Sequence, residues 1–223
     1  FIPEHFYNYG KYTVPFVGGA AIFFTLNPKN ALLSDINSDL INLYRGLKKY
    51  PVGVWEMYKS FPSTKKGYYK VRDSKTPSDL IEKAARTLYL NRTCFKGMWR
   101  HNSEGKFNIG YGGQDRRWVI SKEVLIEASK RLRTASLRSD DFEETISECS
   151  KGDFLYLDPP YKPSCKELIN AHYSYSKFTF NDCKRLADSL KSASKCGIKW
   201  LLTISSHKDI LKLFKGYSTF KLP

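Results

Sequence analysis

The sequence predicts an α/β fold with a parallel sheet that is interrupted by a long insertion. Residues 12–24 begin as an apolar strand, break at paired glycines and continue as an apolar helix. A second apolar run, residues 30–35, is followed by apolar positions at helical spacing from Leu40 to Leu47. Short links from strand to helix to strand are typical of parallel pairing. The next strand of this type, residues 153–158, comes only far along the chain, which indicates an insertion before it.

The insertion is predicted to be a helical subdomain that carries a hairpin. Residues 77–91 have apolar positions at helical spacing, and residues 94–113 are rich in glycine, aromatic and basic side chains. The α/β pattern then resumes. Its predicted elements are a helix near 182–194, a strand at 198–204, a helix at 208–214 and the start of a further strand at 220–223. We therefore divide the chain into a first core part, an insertion and a second core part, with the ranges 1–50, 51–145 and 146–223.

The composition is that of a folded protein with a large excess of positive charge. Hydrophobic residues make up 41% and aromatic residues 15% of the 223 positions, which excludes a mainly disordered chain. Lys and Arg outnumber Asp and Glu by 37 to 22, a formal charge of +15. This excess favours a nucleic acid over a neutral small substrate. A generally basic surface is the alternative, so the choice depends on a site.

Neither the cysteines nor the histidines are spaced as metal ligands. The five cysteines include no CxxC pair and the four histidines no HExxH pattern, so we expect reduced thiols and no metal. The sequence has no apolar run long enough for a membrane span and no signal sequence, so we expect no membrane partner. We expect a cytoplasmic location, or the compartment in which a nucleic-acid target resides. Because the chain opens at Phe1 in sequence typical of a domain interior, we also expect residues upstream.

The sharpest motif is Asp158-Pro159-Pro160-Tyr161, which directly follows the predicted strand at 153–158. Open α/β sheets bind their ligands at the carboxyl ends of strands. The exocyclic amino group of adenine is a poor nucleophile, so a catalyst must hold that nitrogen with acceptors that direct its lone pair toward an electrophile. Asp158 offers a carboxylate, Pro159 a carbonyl on a backbone with fixed φ, and Tyr161 a face for an extruded base. A proline turn capped by an aromatic residue is the alternative.

A second candidate group follows the first two predicted strands. The glycine turn Phe16-Val17-Gly18-Gly19 ends the first strand, and Asp35 and Ile36 end the second. Nucleotide-binding folds place an acid at this position to bind ribose hydroxyls, and an apolar neighbour can flank a purine. The alternative for Asp35 is a helix N-cap. The order of the three features favours cofactor binding.

These strings together resemble the Dam-like DNA adenine methyltransferases, a family that uses S-adenosylmethionine. The matching segments are 15–19, 35–37, 39–42, 85–86, 89–95, 105–108 and 158–161. The resemblance implies a Rossmann-like S-adenosylmethionine-dependent methyltransferase core with an inserted helical and β-hairpin target-recognition subdomain that docks on the major groove. It implies that Asp35 binds the cofactor ribose, that residues 158–161 hold a flipped adenine, and that Asp158 also lies near the cofactor.

The insertion contains the candidate DNA-binding residues. A glycine-bearing turn at 96–106 is flanked by basic and amide side chains, which suit base edges and phosphates. The candidates in this turn are Lys96, Trp99, Arg100, Asn102 and Lys106. The resemblance assigns base reading to Arg100. We expect phosphate contacts from Arg116 and Arg117, with a solvated basic face as the alternative.

Several positions depart from the pattern of the family, among them the segment Ile109-Gly110-Tyr111-Gly112, which lacks the usual proline. Val14 stands where an acid often precedes the Pro-Phe pair, and Ala20 stands where a third glycine is common. Lys96 replaces a frequent asparagine, and the segment around Ser205 lacks an asparagine that often follows that strand. GATC is therefore an expected recognition sequence only.

The leading hypothesis is a site-specific DNA methyltransferase that moves a methyl group from S-adenosylmethionine to N6 of a flipped adenine in double-stranded DNA. A cognate restriction endonuclease is a candidate partner. An amino-methyltransferase that acts on RNA adenine or DNA cytosine remains open, because the Asp158 motif serves any planar exocyclic amine. A catalytically impaired DNA-binding module also remains open, on account of the departures at Val14 and Ser205.

Overall fold

The computed structural model of the protein describes residues 9–102, 104–113, 120–160 and 178–221. The strands within these ranges are β1 (Tyr12–Val14), β2 (Ala31–Ser34), β3 (Ala135–Arg138), β4 (Phe154–Leu157) and β5 (Lys199–Leu202). The α-helices are α1 (Ala21–Leu26), α2 (Ser38–Lys49), α3 (Pro51–Ser60), α4 (Lys65–Asp73), α5 (Leu80–Thr93), α6 (Lys122–Leu132), α7 (Phe142–Ser147), α8 (Phe180–Lys195) and α9 (Lys208–Leu213).

The strands form one parallel sheet in the order β3-β2-β1-β4-β5. The prediction of an α/β fold with parallel strands is therefore confirmed. From β1 the chain moves to one side for β2 and β3, then returns past β1 to add β4 and β5 on the other side. The strand order thus reverses between β1 and β4. In open α/β sheets, the crevice at the carboxyl ends of two such strands is where ligands bind.

Helices cover both faces of the sheet, as the side chains of β4 show. Phe154 and Tyr156 pack into a hydrophobic core that includes residues of α2, α5 and α6. Leu155 and Leu157 point to the opposite face and pack into a second core with α7, α8 and α9. Side chains alternate between the two faces of a strand, so a continuous apolar strand requires apolar cover on both sides. The result is a three-layer α/β/α arrangement.

The helix that follows β2 begins at a cap that belongs to the site. The Asn37 side chain accepts hydrogen bonds from the main-chain N–H groups of Asp39 and Leu40, which satisfies two free donors of α2. This cap starts the helix only three residues after β2 and leaves Asp35 at the turn between them. The short link fixes where the Asp35 carboxylate lies.

The edge strand β3 is a strand that the sequence analysis does not predict. It pairs with β2 in the register Leu32↔Ser136, and it lies within the range 51–145 that was predicted as the insertion. As an edge strand it is buried mainly at Ala135, and Leu137 is only half-buried, so it lacks the apolar run of a central strand. The boundaries of the three parts of the chain remain predictions.

The other predicted elements are found close to their expected ranges. The helix predicted at 77–91 corresponds to α5, and the later helix, strand and helix correspond to α8, β5 and α9. The strand start expected at 220–223 is not found in the residues that the structure describes. Phe220 and Lys221 form no strand and Phe220 is 88% exposed, while residues 222 and 223 lie outside the described residues.

Helix α5, in the predicted insertion, packs against α2, which follows β2 of the sheet. A Cβ atom on Gly46 of α2 would lie 2.4 Å from the Cβ of Ala84 on α5, so only glycine permits this close approach. Beyond α5, the chain forms the predicted hairpin. Its two arms exchange main-chain hydrogen bonds, from Asn108 N to Arg100 O at 3.1 Å and from Asn102 N to Lys106 O at 2.9 Å.

Candidate active site

The turn after β1 exposes its main chain. Gly18 has a φ of 45°, and a Cβ on Gly18 or Gly19 would meet no atom within 4 Å. A ligand can therefore approach this backbone closely. The turn is fixed on its other side by Val17 N, which donates to Ser34 O at 2.9 Å. Ala20 has a φ of 53°, which explains why a third glycine suits this position.

The Asp35 carboxylate is joined to this turn. Its Oδ2 accepts from Gly18 N at 3.1 Å and its Oδ1 from Asn37 N at 2.9 Å. Burial raises the pKa of Asp35, and the two N–H donors offset part of that rise. The two sequence groups predicted for the cofactor, the glycine turn and Asp35, therefore contact each other.

Tyr44 supports the glycine turn from α2. Its hydroxyl donates to Gly18 O at 2.6 Å, and burial followed by the nearby Asp35 charge raises the pKa of Tyr44. Gly18 is thus held at both its N–H and its carbonyl. Sequence reasoning assigned Tyr44 only to an apolar helix face, because nothing local shows where its hydroxyl points.

The remaining cofactor candidates have different surroundings. Phe16 packs its ring against Phe142 and Phe178, with centroids 5.4 and 5.8 Å away, so it supports the turn from the core side. Val17 is buried, whereas Ile36 is 53% exposed beside Asp35. Ile36 is therefore the one of these three side chains that is most open to a ligand.

Asp158 follows β4 at the edge where the glycine turn follows β1. The two strands are hydrogen-bonded neighbours in the register Thr13↔Leu155, so both segments leave the sheet at its carboxyl edge. Asp158 is exposed, Pro159 is buried and Pro160 is half-buried. The hydroxyl of Thr203 lies 2.5 Å from Asp158 Oδ1, a contact that the sequence analysis missed. Tyr161 lies outside the described residues.

The hairpin presents several of the predicted DNA-binding side chains to solvent. Arg100 is exposed, and its Nε donates to Asn108 Oδ1 at 3.1 Å. Lys106 is exposed and pairs with Glu104 at 2.9 Å. The Asn102 side chain instead shapes the turn, since its Oδ1 accepts from the N–H groups of Glu104 and Lys106. Arg100 and Lys106 are therefore the candidates best placed for an external partner.

Trp99 and Lys96 have structural features that the sequence did not reveal. Trp99 is only 6% exposed and packs against Phe107 with ring centroids 4.6 Å apart, so its ring lies inside the hairpin rather than on its surface. Lys96 is exposed with a φ of 54°, a left-handed conformation that Asn adopts more readily than Lys. That conformation would suit asparagine, the residue that the resemblance leads us to expect at this position.

His101 connects the hairpin to the start of α2. Its side chain is 2% exposed, and Nε2 lies 3.4 Å from Asp39 Oδ2. Asp39 follows the Asn37 cap, which itself contacts Asp35. The hairpin therefore rests on the segment that carries the candidate cofactor carboxylate.

Several predictions lie beyond these observations. Arg116 and Arg117 lie outside the described residues. Among the residues that the structure describes, no group of three or more His, Cys, Asp or Glu side chains could hold a metal ion. In the same ranges, no helix is long and apolar enough to cross a membrane.

The fold and the site define a class: a parallel α/β protein in which an open glycine turn follows β1 and acids follow β2 and β4, all at the carboxyl edge of the sheet. Within that class, the chain belongs to the D12 class N6 adenine-specific DNA methyltransferase family, which it matches over residues 1–222.

Individual relatives agree with this family. The chain is 33% identical over 224 residues to the type II methyltransferase M1.LlaDCHI of Lactococcus lactis subsp. cremoris, with 96% of this chain and 79% of the relative covered. It is 34% identical over 235 residues to the type II methyltransferase M.MjaIII of Methanocaldococcus jannaschii, covering 96% and 81%. It is 30% identical over 221 residues to a DNA adenine methylase of Vibrio cholerae serotype O1, covering 96% and 79%.

Proposed function

We propose that this protein transfers a methyl group from S-adenosylmethionine to N6 of an adenine flipped out of double-stranded DNA. The observation that carries the proposal is that the glycine turn and Asp158 follow neighbouring parallel strands, β1 and β4, at the point where the strand order reverses. A carboxylate that can bind an amine and a turn that can bind a nucleoside cofactor therefore follow two strands at the same edge of the sheet. Membership of the family supports the same chemistry.

The residues around the glycine turn fit the cofactor. The space above Gly18 and Gly19 is open, so the main chain can lie directly against a bound molecule. Asp35 would accept hydrogen bonds from the ribose hydroxyls, and the exposed Ile36 side chain would pack on the adenine ring. When bound, S-adenosylmethionine supplies a methyl carbon activated by its sulfonium sulfur.

The segment after β4 would hold the amine that receives the methyl group. The Asp158 carboxylate and the Pro159 carbonyl would accept hydrogen bonds from the two N6 hydrogens. Held in this way, the nitrogen lone pair points away from the ring plane and toward the methyl carbon. After transfer, the nitrogen would give up the proton held by Asp158, which would pass to solvent at this exposed carboxylate. Tyr161 would stack on the flipped base. These groups position and polarise the amine, so the proposal requires neither a metal nor a covalent enzyme intermediate.

The hairpin would contact the DNA. Arg100 can reach base edges in the major groove, while Lys96 and Lys106 suit phosphates. Arg116 and Arg117 are proposed for further phosphate contacts. The net charge of +15 supports a polyanionic partner. GATC as the site, a cognate restriction endonuclease and action in the cytoplasm all remain predictions.

The test is transfer of radiolabelled methyl from S-adenosylmethionine to unmethylated duplex DNA, with single-stranded DNA and RNA as competing acceptors. We expect label on the duplex with the wild-type protein and none with Asp158→Ala, while both proteins bind the duplex equally. Label on RNA alone would favour the RNA alternative. Duplex binding without cofactor binding or transfer would favour the impaired DNA-binding module.

A further inference from the structure

The strand next to β4 provides a residue that contacts Asp158. Thr203 is the first residue after β5, and its N–H donates to Leu157 O at 2.9 Å, which continues the ladder between the two strands. Its Oγ1 lies 2.5 Å from Asp158 Oδ1 and 3.3 Å from Leu157 O. A hydroxyl has one hydrogen to donate, and the carboxylate is the nearer and more strongly charged acceptor. The Thr203 hydroxyl therefore donates to Asp158.

The geometry makes Thr203 a fixed donor to a side chain that is itself exposed. The main chain of Thr203 is held by the sheet, and its β-branched side chain has few accessible χ1 angles. Asp158, by contrast, lies beyond the end of β4 and faces solvent. A bond from a fixed donor to one carboxylate oxygen restricts rotation of the carboxylate and so sets the direction of its other oxygen. Such preorganisation lowers the reorganisation needed during reaction.

We propose that Thr203 is a positioning residue that orients the Asp158 carboxylate toward the N6 amine. The inference rests on the proposed function, because it concerns the same reaction. Thr203 acts through Asp158 and does not itself contact the substrate. The Asp158–Tyr161 motif is then incomplete on its own, and its orientation depends on the neighbouring strand.

The experiment compares two substitutions of this side chain. Thr203→Val keeps the shape and the main-chain hydrogen bond but removes the hydroxyl, while Thr203→Ser keeps the hydroxyl. We expect Thr203→Val to lower kcat by a factor between about 10 and ~10², the latter being the cost of a 1 Å misplacement of a reacting group. The KM for DNA and the Kd of the cofactor should stay unchanged. Thr203→Ser should restore most of kcat. The matched control Thr134→Val removes a hydroxyl bonded to Arg131 O beside β3, away from Asp158, and should leave kcat unchanged.

A second measurement tests the contact without turnover. Urea unfolding of wild type, Thr203→Val, Asp158→Ala and the double variant forms a double-mutant cycle. We expect Thr203→Val to lower the unfolding midpoint in the wild-type background and to have a smaller effect once Asp158 is absent, because only the longer contact with Leu157 O then remains. Equal effects in both backgrounds would overturn the inference.

The outcomes separate the inference from the function on which it rests. Wild-type transfer with full kcat in Thr203→Val overturns the role of Thr203 alone. Lowered kcat in Thr203→Val that Thr203→Ser does not restore also overturns it, since the loss would then come from packing. A wild-type protein that transfers no methyl group overturns the proposed function, and the inference fails with it.

Discussion

Removal of the Tyr44 hydroxyl tests how the glycine turn is held. Tyr44→Phe deletes the 2.6 Å hydrogen bond to Gly18 O and leaves the buried ring in place. A typical intramolecular hydrogen bond contributes about 1 kcal/mol to stability, a net value that already allows for water as the replacement partner at the exposed Gly18. We therefore expect a loss of about 1 kcal/mol, which lowers Tm by roughly 2–4 °C in a chain of this size.

The same substitution should weaken cofactor binding, because a looser turn must be ordered again on binding. If about 1 kcal/mol is needed for that ordering, Kd for S-adenosylhomocysteine rises about fivefold. The matched control is Tyr68→Phe, which removes another buried tyrosine hydroxyl, bonded to Ile109 O at 2.9 Å beneath the hairpin. The control should lose comparable stability and keep its cofactor Kd, as measured by calorimetry. Equal Kd values for Tyr44→Phe and wild type would refute the reasoning.

The other predictions concern charge and backbone conformation. Lys96→Asn should raise stability by about 1 kcal/mol, because Asn tolerates the left-handed φ of 54°; an unchanged urea midpoint would contradict this. Burial raises the folded-state pKa of Asp35 above its unfolded value. The contribution of Asp35 to stability should therefore fall as pH rises from the unfolded-state pKa to the folded-state pKa. Cofactor affinity should instead rise with pH, because the ionised carboxylate binds the ribose hydroxyls. Below the raised pKa, Kd should rise about tenfold for each pH unit of decrease. Asp35→Asn should make Kd nearly independent of pH. Arg100→Ala should relax sequence preference in methylation assays, whereas Lys106→Ala should weaken binding to all duplexes alike and reduce its salt dependence; a uniform loss for Arg100→Ala would make it a phosphate contact.

The sequence predicts the central strands because each carries its own signal. The strands β1, β2 and β4 are buried on both faces and therefore read as continuous apolar runs. Strand β3 has buried and exposed residues within only four positions, so its place in the sheet depends on pairing with β2 rather than on its own composition. Edge strands of this length give no clear local pattern.

In the site, too, residues with a local sequence signal are predictable, and residues whose role depends on distant contacts are not. Asp35 and Asp158 are predictable because each directly follows an apolar strand, and strand ends meet at one edge of a parallel sheet. Tyr44 and Thr203 are missed because their partners, Gly18 and Asp158, lie 26 and 45 residues away along the chain. Such contacts depend on the strand order and on the rotation of α2, which local sequence does not specify.

The burial of Trp99 likewise could not be predicted from the local sequence. A tryptophan between basic residues fits a DNA surface and a hairpin core equally well by sequence. The structure packs it against Phe107 from the opposite arm, a pairing that exists only after the hairpin closes. The hairpin turn itself, which Asn102 stabilises, was predictable from its glycine and polar residues.

The central claim is that the Asp158 carboxylate directs methyl transfer to the exocyclic amine of adenine. The most direct measurement is mass spectrometry of nucleosides from duplex DNA that has been incubated with S-adenosylmethionine and either wild-type protein or Asp158→Ala. We expect N6-methyladenine with the wild type and none with the variant. Methylcytosine as the product, or equal amounts of N6-methyladenine from both proteins, would contradict it.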